Sequence, residues 1–171
     1  MARISRIRPQ AALAVIDIPI ATPAIVLRYA PGDEHALLAK LRYKRLIDIF
    51  LGITTCSLQN HLRTSIQAAQ GRTQIEIDAL YVGLNADGAH FVAPVQAKVG
   101  SDQIGTVQTP QDVAFCAERF PALTCRPVAA QALRDDVMAL FELVLHDGQL
   151  RVRQERHYRL VDALPDVPAR L

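Results

Sequence analysis

The sequence predicts a single α+β (α/β) domain, a mixed central sheet flanked by helices, and three observations carry that expectation. Apolar residues recur at helical spacing between residues 34 and 67. The period then drops to two over residues 74–99, and a capped helix near residue 109 leads into further strand-like runs. With 171 residues, 50% of them hydrophobic, one domain spanning 1–171 is the default. Folding at that length removes roughly 70% of the unfolded chain's surface from water, so no metal or disulfide is needed to complete a core. The apolar content excludes intrinsic disorder. Charge or proline interrupts every apolar stretch before the roughly 18 residues of a membrane-crossing helix.

Taken in order, Met1 to Arg8 followed by Ala11 to Ile20 has the basic and apolar halves of a signal peptide. Pro9, Asp17 and Pro19 interrupt it, so strand is expected over residues 11–29, broken at Thr22-Pro23. Asp33 is expected to cap a helix running from Glu34 to Phe50, with Gly52 as its stop. A second helix is expected from Thr54 or Thr55 to about Gln67, with Leu58, Leu62 and Ile66 on one stripe. Runs 74–84 and 90–99 surround Asn85-Ala86-Asp87-Gly88 and predict an antiparallel hairpin. Thr109-Pro110-Gln111-Asp112 opens a helix to Arg119 with Thr109 as N-cap. A strand over 123–130 follows, then a hairpin of 137–145 and 149–161 around Asp147-Gly148, and a frayed tail beyond Leu164.

Cys56, Cys116 and Cys125 fit neither a zinc spacing nor a disulfide framework, which predicts small buried hydrophobes in a reducing cytoplasm. The net charge of +2 decides nothing by its size. Its composition is more informative, because Lys40, Lys44 and Lys98 are the lysines and arginine supplies the other basic residues.

On the first hairpin Glu76 and Asp78 share one face of their strand, and Gln96 and Lys98 share one face of the other. A turn centred on Asp87 sets Asp78 opposite Gln96 and Glu76 opposite Lys98, with Cβ atoms about 5 Å apart. A one-residue slip scatters them. A carboxylate and an amide oxygen within reach of each other suit a hard cation such as Mg²⁺, and a neighbouring lysine can serve a developing negative charge or an attacking water. The same four residues also suit plain cross-strand pairs on a wet face. Against that reading, Phe91-Val92-Ala93-Pro94-Val95 leads into Gln96 as an interior strand would.

Asp78 followed across the hairpin by Gln96-Ala97-Lys98 resembles the D…(E/Q)xK signature of the restriction-endonuclease-like, or PD-(D/E)xK, nuclease superfamily. The glutamine form is similar to that of Mrr-type restriction endonucleases, and Ile104-Gly105-Thr106-Val107-Gln108 stands where those carry a Gly and a Gln-bearing stretch. The resemblance covers roughly residues 54–131. It implies a restriction-endonuclease-like αβββαβ core over that stretch, with a strand and helix extension over 1–53 and a hairpin and tail over 132–171. It further implies a Mg²⁺- or Mn²⁺-dependent endonuclease acting on DNA, with a homodimer as the expected assembly.

Carried over, Asp78 ligates the metal, Gln96 and the Ala97 carbonyl assist, and Lys98 serves the attacking water. Ile77 stands where the family has proline, and Gln96 stands where it has an acid, so either Glu76 compensates or metal affinity is low. The family's further acid on the preceding helix has no counterpart among Gln59, Asn60 and His61. As nucleic-acid contacts the sequence offers Gln59, His61 and Arg63, then Gln108 and Gln111 near a helix N-terminus. Arg151 and Arg153 begin a stripe that continues through Glu155, His157 and Arg159 along one strand face. A catalytically inactive module of the same fold, binding nucleic acid or a protein partner, and an unrelated α+β structural domain are the competing expectations.

Overall fold

The computed structural model describes residues 6–162, so the expected tail beyond Leu164 lies outside the described residues. Strand β1 (Val15–Pro19) precedes three helices, α1 (Ala24–Tyr29), α2 (Asp33–Tyr43) and α3 (Leu46–Leu51). Strands β2 (Thr54–Ala68), β3 (Gly71–Leu84) and β4 (His90–Lys98) follow, then α4 (Gln108–Arg119), β5 (Thr124–Cys125), β6 (Val128–Ala132), β7 (Val137–His146) and β8 (Gln149–Val161). The strands make one mixed sheet in the order β1-β8-β7-β6-β4-β3-β2, with β5 paired to β4. Strands β4 and β6 are parallel and α4 lies between them in sequence, the crossover that a parallel pair requires.

Two layers cover the sheet. On one face Leu37, Leu38 and Leu41 of α2 and Leu46, Ile47 and Phe50 of α3 bury against Ala79, Tyr81, Val95, Ala97 and Leu140. Each fully buried leucine contributes about 2 kcal/mol. On the other face Cys116 and Phe115 of α4 cover Leu80 and Val92, while Ile7 joins Phe141 and Leu143 farther along. Asp17 accepts 2.8 and 3.0 Å bonds from the Arg159 guanidinium, which fastens β1 to β8.

Several elements differ from the sequence expectation. The stretch 54–67 is not a helix but the long strand β2. Residues four apart share a face in a helix and in a strand alike, so Leu58, Leu62 and Ile66 satisfy both periods. Residues 24–29 are helical rather than extended. The expected helix over 34–50 is two helices, because Arg45 adopts a left-handed conformation (φ 55°) and its guanidinium turns back to Asp48 and the Thr55 carbonyl. Gly32, not Asp33, precedes α2, and α4 begins one residue before Thr109. The strand expected over 123–130 is divided between β5 and β6. Cys56 is exposed, whereas Cys116 is buried and Cys125 partly so. No helix among the described residues is long and apolar enough to cross a membrane.

The turn before β4 forms as its residues predict. The Asn85 side-chain oxygen accepts from the amides of Asp87 (3.0 Å) and Ala89 (2.9 Å), and Gly88 takes φ 76°. Gly83 answers a different demand, since a Cβ there would stand 2.3 Å from the Thr54 carbonyl oxygen.

Candidate active site

The register of β3 on β4 follows the expected rule from Leu84↔His90 to Ala79↔Val95, then ends one residue before Asp78. On the other side β2 pairs Asn60 with Ala79 and Leu62 with Ile77, passing over Asp78 and His61. Ile77 and Leu80, three residues apart, both pack beside Phe115 under α4, whereas Ala79 packs on the opposite face. A regular strand would put Ile77 and Ala79 on one face. Strand β3 is therefore irregular at Asp78, and the ladders on either side of it are interrupted there.

Asp78 is 7% exposed, and its Oδ2 accepts the Ala97 amide at 2.8 Å, a bond that replaces the missing ladder contact to β4. Its charge is felt on both sides of the sheet. On α2 the Glu34 carboxyl is raised above its ordinary value, first by burial, then by the charge of Asp78, with Lys98 opposing. On α4 burial pushes Asp112 up to about 7; the Gln96 bond pulls it down, Asp78 raises it and Lys98 lowers it. Asp78, Lys98, Glu34 and Asp112 thus lie within electrostatic reach of one another where β3 and β4 part, with Gln96 bonded to Asp112.

Gln96 and Ala97 are buried and Lys98 is partly exposed at the end of β4. Gln96 is not a ladder partner of Asp78. Its Nε2 donates instead to Thr109 Oγ1 at 2.7 Å and Asp112 Oδ2 at 3.3 Å, both on α4. Gln96 Oε1 and Asp112 Oδ1 are buried and unpartnered. Orphaned oxygens beside an aspartate form an oxygen-rich donor set of the kind that hard divalent cations take. Among the described residues no three His, Cys, Asp or Glu side chains stand close enough to hold a metal, so any such site draws on Gln96 and the backbone.

Glu76 is not brought to Lys98. Its exposed carboxylate pairs with Arg63 Nε at 3.2 Å and lies 3.9 Å from His61 Nδ1, while its carbonyl accepts from Gln108 Nε2 at 3.1 Å. His61 takes a left-handed φ of 48° and stacks on His35, the neighbour of Glu34, with ring centroids 4.6 Å apart. A non-glycine residue in that conformation carries strain, and such residues gather at functional sites. Gln59 lies exposed on β2, away from the cluster, in a shallow groove with Leu58 and Phe115. Gln111 is partly exposed on α4.

The basic stripe expected on β8 does not form. An extra residue in β8 between Glu142↔Gln154 and Leu143↔Val152 breaks the alternation at Arg153. Arg153 turns toward Glu142 at 3.8 Å, and Arg151 remains exposed. Glu155 and His157 are buried as a 2.7 Å pair, with Gln10 bonding both carboxylate oxygens of Glu155. Arg159 is engaged by Asp17.

Sequence reasoning missed Glu34 and Asp112. The strand misread as a helix hides Glu34, since with β2 extended the helix before the hairpin is α2–α3, whose first turn carries Asp33 and Glu34. Asp112 had a signal, an acid early in a capped helix, but no periodicity reveals that it reaches Gln96. Comparison with protein-family models, with curated proteins and with solved structures finds no match to this chain.

Proposed function

We propose that the protein is a metal-dependent endonuclease of restriction-endonuclease-like fold that hydrolyses DNA phosphodiester bonds. The observation that carries this reading is the convergence of Asp78, Glu34, Gln96 and Lys98 at the break between β3 and β4. The order α2, β2, β3, β4, α4, β6, with β4 parallel to β6, supports it as well.

In this reading Asp78, Gln96 Oε1 and the Ala97 carbonyl hold Mg²⁺ or Mn²⁺, with Glu34 in the place expected for Glu76. The bound cation supplies Lewis acidity to the scissile phosphate and acidifies the attacking water. Lys98 holds that water and balances the charge that grows on the phosphate. His61 and Arg63, exposed beside the cluster, contact the flanking backbone. Cutting both strands of a duplex calls for two such sites, so the reading includes a homodimer.

A second reading is favoured by one observation, the lack among the described residues of a three-acid group at the site. A nuclease fold whose acid has become Gln96 can bind nucleic acid or a partner without cutting. Supercoiled plasmid, branched DNA and single-stranded DNA incubated with the protein in Mg²⁺ or Mn²⁺ separate the two. The nuclease cuts at least one of them, and Lys98→Ala slows cutting by about 10²- to 10⁴-fold with the melting temperature unchanged. Intact DNA in all three assays selects the silent module.

A further inference from the structure

Gln96 is among the largest fully buried side chains of the protein, 2% exposed, and an amide has two ends of opposite character. Which end faces the cluster decides whether Gln96 can serve a cation at all. The nitrogen end is claimed by α4. Thr109 Oγ1 lies 3.4 Å from the Gly105 carbonyl, to which its proton is directed, so it meets Gln96 as an acceptor at 2.7 Å. Asp112 Oδ2 is a second acceptor at 3.3 Å. Both helix residues are 1% exposed, so water does not substitute for either. With Nε2 committed to α4, Oε1 is the end of the carboxamide left buried without a partner. A buried acceptor left empty is unfavourable unless something fills it.

We propose that Thr109 and Asp112 are positioning residues that hold the Gln96 carboxamide by its nitrogen and leave its oxygen free as a ligand for a divalent cation. The inference rests on the metal-dependent reading above but concerns cation binding, not cleavage. It explains how a glutamine stands in for an acid: two acceptors behind it fix its polarity, which a carboxylate does not need.

The test is calorimetric titration of the full chain with Mn²⁺ alone, no DNA present, with thermal melting of each variant alongside. Thr109→Val, which removes the acceptor without a change of charge, is expected to weaken Mn²⁺ binding about tenfold. Thr109→Ser, which keeps it, should bind as the parent does. In a Gln96→Glu background the two carboxylate oxygens are equivalent, so Thr109→Val should leave affinity unchanged. Asp112→Leu, which removes the second acceptor, should likewise cost more affinity in the parent than in the Gln96→Glu background, the loss of charge being common to both. Equal losses in the two backgrounds, or a Thr109→Ser variant as weak as Thr109→Val, overturn the inference, as does a parent protein that binds no Mn²⁺. Parent protein that binds Mn²⁺ with the expected pattern but leaves every DNA intact supports the positioning and refutes the nuclease.

Discussion

Two buried polar clusters lie against the same sheet, and they are finished differently. Around Glu142, 2% exposed on β7, both carboxylate oxygens are bonded: Arg126 reaches one at 2.7 Å and the other at 3.1 Å, and Gln154 adds a bond at 2.8 Å. Arg126 and Gln154 also cap the Leu51 and Phe50 carbonyls, which locks the end of α3 to the sheet. Around Gln96 two buried oxygens have no partner, a strand ladder is interrupted, and like charges crowd Asp78. The first cluster is closed in on itself and serves the fold. The second is incomplete as the chain alone makes it, which is what the proposed ligand site requires and a structural network does not.

The largest effect that tests this contrast belongs to the closed cluster. Arg126→Met strands a buried carboxylate and is expected to cost about 3–5 kcal/mol in urea unfolding while leaving Mn²⁺ affinity untouched. The pH dependence follows from the same pair. Burial by itself would raise the Glu142 carboxyl, but the bonds and charge of Arg126 outweigh it and hold it below its ordinary value. Stability from this group is therefore complete above the ordinary glutamate value, about pH 4.3, and is lost as pH falls through the lowered one. Parent protein should lose stability over that acid window, and Arg126→Met, in which burial is no longer outweighed by Arg126, should lose that slope or reverse it. A slope in the variant as steep as the parent's and of the same sign would mean that the cluster is not the acid-sensitive element.

At the open cluster the sign of the stability effect should reverse. The raised Glu34 carboxyl marks a charge that folding disfavours, so its contribution is fullest below the ordinary glutamate value and shrinks as pH rises. At pH 7 Glu34→Gln is expected to hold or raise the melting temperature while weakening Mn²⁺ binding about tenfold, or about 1.4 kcal/mol. Trading ligand affinity for stability in this way is what a site under electrostatic strain would do. A Glu34→Gln protein that melts earlier and binds Mn²⁺ normally would move Glu34 to the structural side of the comparison.

The closed and open clusters were unequally legible in the sequence. Turn chemistry at Asn85 and Gly88 set the register between β3 and β4 as far as Ala79↔Val95, and the strands from 74 to 98 and the helix α4 stand close to where their patterns put them. Asp78, Gln96 and Lys98 are near one another for that reason. What no alternation rule carries is a break in the alternation: the irregularity at Asp78 sends Glu76 outward to Arg63, and the extra residue at Arg153 dissolves the arginine stripe. The Arg126 network joins residues far apart in sequence and had no local signal at all.

The smallest expected effect tests whether the irregularity is held by the backbone itself. His61 has φ 48° inside a strand, where side-chain-bearing residues lie at negative φ. In an ordinary strand position alanine is more stable than glycine, because glycine loses more conformational freedom on folding. At His61 the order should invert: a left-handed residue with a Cβ carries about 1–2 kcal/mol of strain that glycine avoids. His61→Gly is therefore expected to exceed His61→Ala by about 1 kcal/mol in urea unfolding, whereas Arg63→Gly should fall below Arg63→Ala two residues on. Both His61 variants lose the stack on His35, so that contact cancels in the difference. The same order at residues 61 and 63 would mean that β2 runs regularly past Asp78, and the open cluster would then lose the strained backbone that sets it apart from the closed one.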